Sequence, residues 1–186
     1  MIAEASGPVA IVTQRLRLRP HRLDDLAGRA AMVAEPSTMH HVGGAQDAEE
    51  NHARILRYAG HWALRGFGAF AIEEQESGRF AGECGLAFFH RGLGDDFDHS
   101  PEAMWLLAGW AEGHGFAYEA MSGVIDWHDR HREPQPLVCL VAVDNVRSLV
   151  LAARLGFHPF RDALYRGHPV VLHRRTAPFP NGGEPG

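Results

Sequence analysis

The segment Glu112-Gly-His-Gly-Phe-Ala117 carries more chemical information than any other stretch of the chain. Glycines let a backbone turn sharply and come close to a ligand. A helix starting just after such a turn leaves its first N–H groups without intrahelical acceptors. Those donors, with the positive end of the helix dipole, suit a pyrophosphate. The chemistry needs small residues and bare amides more than any particular side chain. Gly113-x-Gly115 is followed by Ala117 with no third glycine at the place a dinucleotide fingerprint requires. No Gly-Lys-Ser/Thr follows either, so the turn is not a P-loop. On these residues alone, an ordinary strand-to-helix connection stays open beside the phosphate reading.

Other reactive residue types point less clearly. The chain has 13 histidines, with His40 and His41 adjacent and His128 and His131 at i, i+3, but no cysteine or carboxylate completes a recognisable ligand set. No metal is expected. Cys84 and Cys139 are the only cysteines and sit in apolar runs, which reads as two buried reduced thiols in a cytoplasmic protein. Trp62, Phe67, Phe70, Phe88 and Phe89 read as core rather than as a substrate cage.

The elements that must position the turn follow from periodicity. Arg15-Leu-Arg-Leu-Arg19 alternates and stops at Pro20, as a half-buried strand does. Leu23 to Val33 has helical spacing with Asp24 and Asp25 in its first turn, and Pro36 interrupts that pattern. A second helix is expected from about Ala48 to Leu64, ended by Gly66. Phe67 to Glu73 and Phe80 to Phe89 read as a hairpin about Glu76-Ser-Gly-Arg79. Arg91 to Ser100 is a polar loop, and Glu102 to Ala108 a further strand before the glycine turn and its helix. Leu137 to Val143 is a continuous apolar run, as in a strand covered on both faces. Asp144-Asn145 opens a helix through Leu155, and Val170 to Leu172 is the last strand, reached through an irregular segment from His158 to Pro169. The order predicts one mixed α/β sheet.

With 186 residues, the chain fits one domain of ordinary size. Eighteen Lys and Arg against 23 Asp and Glu give a net charge of −5, which lacks the basic stripe of a general nucleic-acid binder. No apolar run approaches the roughly 20 residues that span a bilayer. Met1 to Pro8 has no basic region followed by an apolar core, so no signal peptide is expected. Residues 1–12 and the Pro- and Gly-rich Ala177 to Gly186 read as flexible ends.

Pro101-Glu-Ala-Met-Trp-Leu-Leu-Ala108, followed by Glu112-Gly-His-Gly-Phe-Ala-Tyr-Glu-Ala120, resembles the acetyl-CoA motif of the GNAT N-acetyltransferases. Asp144-Asn145-Val-Arg-Ser148 and Ala153-Arg-Leu-Gly-Phe157 resemble that family's Asn-x-x-Ser helix and its Leu-Gly-Phe. Thr13-Gln-Arg-Leu-Arg-Leu-Arg-Pro20 and Gly78-Arg-Phe-Ala-Gly-Glu-Cys-Gly-Leu86 are similar to strands of the RimJ/RimL-like, ribosomal-protein N-acetyltransferase branch. The match spans about Thr13 to Arg174 and implies an N-acetyltransferase domain over residues 13–176.

The resemblance implies a largely antiparallel sheet flanked by helices. In it the strands at Glu102 and at Leu137 splay apart, and the pantetheine arm of acetyl-CoA lies between them. Main-chain groups of Trp105, Leu106 and Leu107 would hold the pantetheine, and the amides of Gly113, His114, Gly115, Phe116 and Ala117 the pyrophosphate. Asn145 would bond the pantetheine arm. One departure is Glu112, where the family usually has Gln or Arg; an acid there cannot neutralise phosphate. The implied reaction is direct attack of a primary amine, of a small molecule or a protein N-terminus, on the thioester. An alkylamine with a pKa of about 10 is mostly protonated at neutral pH, so a base is needed. The resemblance favours Glu102 for it, with Glu83 second. Ser148 matches the position that often faces the departing sulfur; Tyr165 matches less well. Acceptor preference would lie in the loops holding His40, His41 and Asp95. The implied partners are acetyl-CoA and an amine acceptor, without nucleic acid or membrane, and the chain could pair as a homodimer. A rival reading is a CoA-binding module of the same fold without transfer activity.

Overall fold

Alternation in Leu16–Pro20 works as the sequence suggests, for Leu16 and Leu18 are fully buried and Arg17 faces solvent. The computed structural model describes residues 9–44 and 46–176; the expected flexible segments Met1 to Pro8 and Ala177 to Gly186 lie outside the described residues. Strands are β1 (Ile11–Val12), β2 (Leu16–Pro20), β3 (Ala69–Glu74), β4 (Phe80–Ala87), β5 (Glu102–Leu107), β6 (Leu137–Ala142), β7 (His158–Tyr165) and β8 (His168–Arg175). Helices are α1 (Leu26–Val33), α2 (Pro36–Met39), α3 (Ala48–Arg65), α4 (Asp95–Asp98), α5 (Phe116–His131) and α6 (Val146–Arg154). The fold is α/β, with one open mixed sheet in the order β1-β2-β3-β4-β5-β6-β8-β7. The β5–β6 ladder is parallel and consists of one register pair, Glu102 with Val138. The other registered ladders are antiparallel. None of the described helices is long and apolar enough to cross a membrane.

The described residues group into two compact units, where the sequence suggests one domain. The first runs up to Ala87 and includes Met104–Val124. Here Met32, Val33, Met39 and Ala108 form a buried cluster joined by Phe80, Leu106 and Trp110. Helix α3 begins with a reciprocal cap: Glu50 N–H donates to Asp47 Oδ1 at 2.8 Å, and Asp47 N–H donates to Glu50 Oε2 at 3.0 Å. It ends at Gly66, in the left-handed region at φ 69°. Arg19 breaks the alternation of β2. It is buried because Asp25 takes two of its nitrogens, at 2.8 and 2.7 Å, and Glu73 pairs with it as well.

The second unit comprises Phe88–Ala103 and the chain from Ile125 onward. Phe97, Val138, Val170 and Leu172 form its buried centre, covered by Leu93, Leu140, Phe160, Ala163 and Tyr165. Asp98 organises the loop before β5 by accepting the N–H groups of Arg91, Leu93 and Gly94.

Four expectations need correction. Ile11–Val12 is not flexible chain but a short strand paired to Arg17 and Leu18. Pro36 does not merely interrupt a helix; it opens α2 at N1, where its missing N–H costs nothing. The segment from His158 is not irregular, because β7 pairs with β8 from His158↔Arg174 to Tyr165↔His168. The last strand is correspondingly longer than Val170 to Leu172. Strand β7 lies at the end of the sheet order, so its residues stay largely exposed and its sequence is too polar to show a core-facing pattern.

Candidate active site

A ligand cradle forms where β5 gives way to α5. Gly113 and Gly115 adopt φ 78° and 79°, a conformation that other residues resist. Gly113, His114 and Gly115 are exposed, and helix α5 starts at Phe116. Among the described residues, the N–H groups of Gly113, His114, Gly115, Phe116 and Ala117 donate no backbone hydrogen bond. A Cβ built on Gly113 would meet nothing within 4 Å, so the outer side of the turn is open. Five bare amides at the head of a sixteen-residue helix match a diphosphate in donor type and in sign of the local field.

The strand leading to this turn presents its main chain in alternation. Ala108 N–H donates to Ala81 O at 2.9 Å, so that group faces β4. Leu106, two residues earlier, turns the same way, and its carbonyl oxygen crowds the place where a Cβ on Gly82 would stand. Glycine at position 82 permits this approach. Trp105 and Leu107 therefore direct their main-chain groups to the other edge of β5. Leu106 turns its carbonyl toward β4, so Trp105 and Leu107 are the better placed of the three for a ligand along that other edge.

Asn145 caps α6, its Oδ1 accepting the Ser148 N–H at 3.1 Å. Its Nδ2 could donate to a ligand. Both residues are half-buried. His40 and His41 are exposed, their rings edge to face at 4.5 Å, and Asp95 begins α4 at the surface, beside His99 at 3.9 Å.

Each of the two carboxylates considered for the base role has an arginine partner. Glu102, 4% exposed, accepts from Arg91 Nε and Nη2 at 2.6 Å each. The third nitrogen of Arg91 donates to Tyr165 Oη at 3.0 Å. Burial works against the Arg91 charge, but the Glu102 carboxylate outweighs it and holds the guanidinium pKa above its ordinary value. A carboxylate gripped on both oxygens by a cation is a poor proton acceptor. That geometry does not suit Glu102 to the base role. Glu83 is more enclosed still: Arg29 Nε donates to it at 2.9 Å and Tyr58 Oη at 3.0 Å. Buried His21 stacks on Tyr58 with ring centres 5.0 Å apart, its nitrogens 3.6 Å from Asp25 and 3.8 Å from Glu83. The cysteines take no part. Both are buried, and burial raises both thiol pKa values.

Two groups escaped the sequence analysis. Arg29 lies on the helical stripe of α1 with Met32 and Val33, and a charge among buried apolar positions is the signal for a buried partner. Thr13, Arg15 and Glu119 also meet, with Thr13 Oγ1 and Arg15 N–H donating to one carboxylate oxygen at 2.6 and 2.8 Å.

Residues 15–158 match the Acetyltransferase (GNAT) domain family. A Bordetella pertussis protein assigned to the GnaT-family acetyltransferases is 32% identical, with a TM-score of 0.82 over 90% of this chain and 99% of that one. An acetyltransferase from Agrobacterium tumefaciens str. C58 is 28% identical, with a TM-score of 0.75 over 89% and 93%. RimL, a ribosomal L7/L12 alpha-N-protein acetyltransferase solved with coenzyme A, shares the fold at 16% identity, with a TM-score of 0.74 over 90% and 98%. With most of its length inside that family match and an amide cradle at the expected turn, this chain belongs to the GNAT acetyltransferase family.

Proposed function

We propose that the protein is an N-acetyltransferase that takes its acetyl group from acetyl-CoA and delivers it to a primary amine, of a small molecule or a protein N-terminus. The observation that carries this reading is the row of acceptor-less amides from Gly113 to Ala117 at the head of α5. Acetyl-CoA supplies an activated thioester; the chain supplies binding, orientation and handling of protons.

In this reading the amides of Gly113, His114, Gly115, Phe116 and Ala117 bind the diphosphate. Trp105 and Leu107 offer main-chain groups to the pantetheine along the edge of β5 turned away from β4, and Asn145 adds Nδ2. Glu112 supplies no positive charge, so affinity rests on backbone donors. The new amide C–N bond forms as the C–S bond breaks. The amine nitrogen loses a proton, and the thiolate, of a thiol with pKa about 8.5, leaves with little need for a strong acid. Ser148 is the side chain proposed to meet that sulfur. Because Arg91 holds both oxygens of Glu102, we assign Glu102 to fixing Arg91 and Tyr165, and assign removal of the amine proton to water. His40, His41 and Asp95 are proposed to tune acceptor preference. RimL's action on a ribosomal protein N-terminus makes peptides of that kind the first acceptors to try.

The second reading, a CoA-binding module without transfer, is favoured by the engagement of both candidate carboxylates with arginines. Calorimetry with acetyl-CoA, joined to thiol release across a panel of amines and N-terminal peptides, separates the two. Binding with release for at least one amine is expected. Binding without release for any amine supports the module, and no binding at all removes both.

A further inference from the structure

Between the N-terminal strands and the head of α5 lies a polar clasp. Glu119 on the first turn of α5 accepts Thr13 Oγ1–H at 2.6 Å and Arg15 N–H at 2.8 Å on Oε1. On Oε2 it receives Arg15 Nε and Nη2 at 2.7 Å each. Burial pushes the Glu119 carboxyl up, but the donors from Thr13 and Arg15 outweigh it and leave the group below its ordinary pKa, an anion throughout the neutral range. The Arg15 side chain it anchors is still 45% exposed. Its Cζ lies over the Phe116 ring, 4.7 Å from the ring centre, and Nη1 donates to the carbonyl of His114 at 3.0 Å.

The consequence lies in one peptide plane. In a trans peptide the carbonyl of one residue and the N–H of the next point in opposite directions. With the His114 oxygen held against Arg15, the Gly115 N–H must face the other way, away from the guanidinium. A cation on the oxygen also polarises the peptide, which strengthens its N–H as a donor. The turn needs such a hold, since it is exposed and built on two glycines, whose unbound conformations are many.

We infer that Arg15, anchored by Glu119, is a positioning residue that fixes the His114–Gly115 peptide so that its amide meets the diphosphate of acetyl-CoA. The inference rests on the acetyl-CoA reading above. It also accounts for the tolerance of Glu112: the positive charge sits behind the turn instead of on its first residue.

The test is calorimetric binding of acetyl-CoA and of S-acetylpantetheine, which lacks the diphosphate. The wild-type protein and the variants Arg15→Gln, Arg15→Lys and Glu119→Gln are compared, each checked for an intact thermal transition. For Arg15→Gln the Kd for acetyl-CoA should rise about tenfold, the scale of one charge-assisted hydrogen bond, while that for S-acetylpantetheine stays put. Arg15→Lys keeps the charge without the fork and should recover part of the loss, and Glu119→Gln should move acetyl-CoA alone by a smaller factor. An unchanged Kd for acetyl-CoA in Arg15→Gln overturns the positioning role. Equal weakening of both ligands also overturns it, since the clasp would then be merely structural. If the wild-type protein binds no acetyl-CoA, the functional reading itself has failed, and the inference falls with it.

Discussion

Among the described residues, an arginine locked onto a buried glutamate, with a tyrosine completing the set, occurs in each compact unit, and the surroundings of the two sets differ. In the first unit Arg29, Glu83 and Tyr58 are sealed, none more than 2% exposed. Arg29 spends its remaining nitrogen on Asn51 at 2.5 Å and Gln46 at 2.9 Å, and the tyrosine donates to the carboxylate. In the second unit Arg91 keeps 22% of its side chain in solvent, lies against the Phe89 and Tyr165 rings, and the tyrosine accepts from the guanidinium. A sealed pair has no water to replace a lost partner. A half-open pair does. The first set should therefore act on stability, and the second on the local arrangement of the loop before β5.

The largest effect should come from breaking the sealed set. Arg29→Met leaves Glu83 buried without its cation and should cost about 3–5 kcal/mol. For a chain of this length that lowers Tm by roughly 10 °C or more. The double variant Arg29→Met/Glu83→Leu should regain much of the loss, since a buried pair replaced by apolar groups is often neutral. Urea unfolding measures both. A single variant within about 1 kcal/mol of wild type would erase the contrast between the two sets.

A smaller effect is expected from the half-open set. Arg91→Met should cost about 1–2 kcal/mol, because water can reach the site and meet Glu102. Glu102→Gln keeps the shape but leaves Arg91 one acceptor instead of two; with water as the proton acceptor, turnover on any amine found to be a substrate should stay within about threefold of wild type, with the same pH profile between about pH 6 and 9. A fall of a hundredfold or more, with unfolding unchanged, would instead make Glu102 the base after all.

This contrast also separates what sequence could and could not reveal. Strand β2, helix α3 and strand β6 were legible because one face of each, or both, is buried and the apolar spacing says so. Strand β7 was not, because Arg161 and Asp162 lie on an exposed edge strand where no buried face imposes a pattern. The amide turn was legible since it depends on glycines within a few positions of one another. The partners of Glu83, Glu102 and Glu119 were not. Arg15 and Glu119 stand 104 positions apart, and Arg29 and Glu83 are 54 apart, so only the fold pairs them. An isolated acid in a strand reads as a candidate base until its arginine is seen.

The tyrosines give the finest discrimination. Tyr58→Phe removes a donor to a buried carboxylate and should cost about 1–2 kcal/mol at neutral pH, whereas Tyr165→Phe removes only an acceptor from a partly hydrated guanidinium and should cost less than about 1 kcal/mol. Alkaline pH sharpens the difference for Tyr58. Its burial, with the Glu83 charge beside it, raises its phenol pKa far above the ordinary value. A group whose folded pKa is raised stabilises the fold fully below its unfolded pKa of about 10, and that contribution drains away as pH climbs above 10. The stability advantage of wild type over Tyr58→Phe should therefore be constant up to about pH 10 and then shrink by up to about 1.4 kcal/mol per pH unit. Paired urea titrations at pH 8, 10 and 10.5 read this directly, because other ionising groups are common to both proteins and cancel in the difference. A gap that stays constant through this range would mean that the Tyr58 phenol ionises as readily in the folded chain as in the unfolded one. The site around Glu83 would then be as open to water as the one around Glu102.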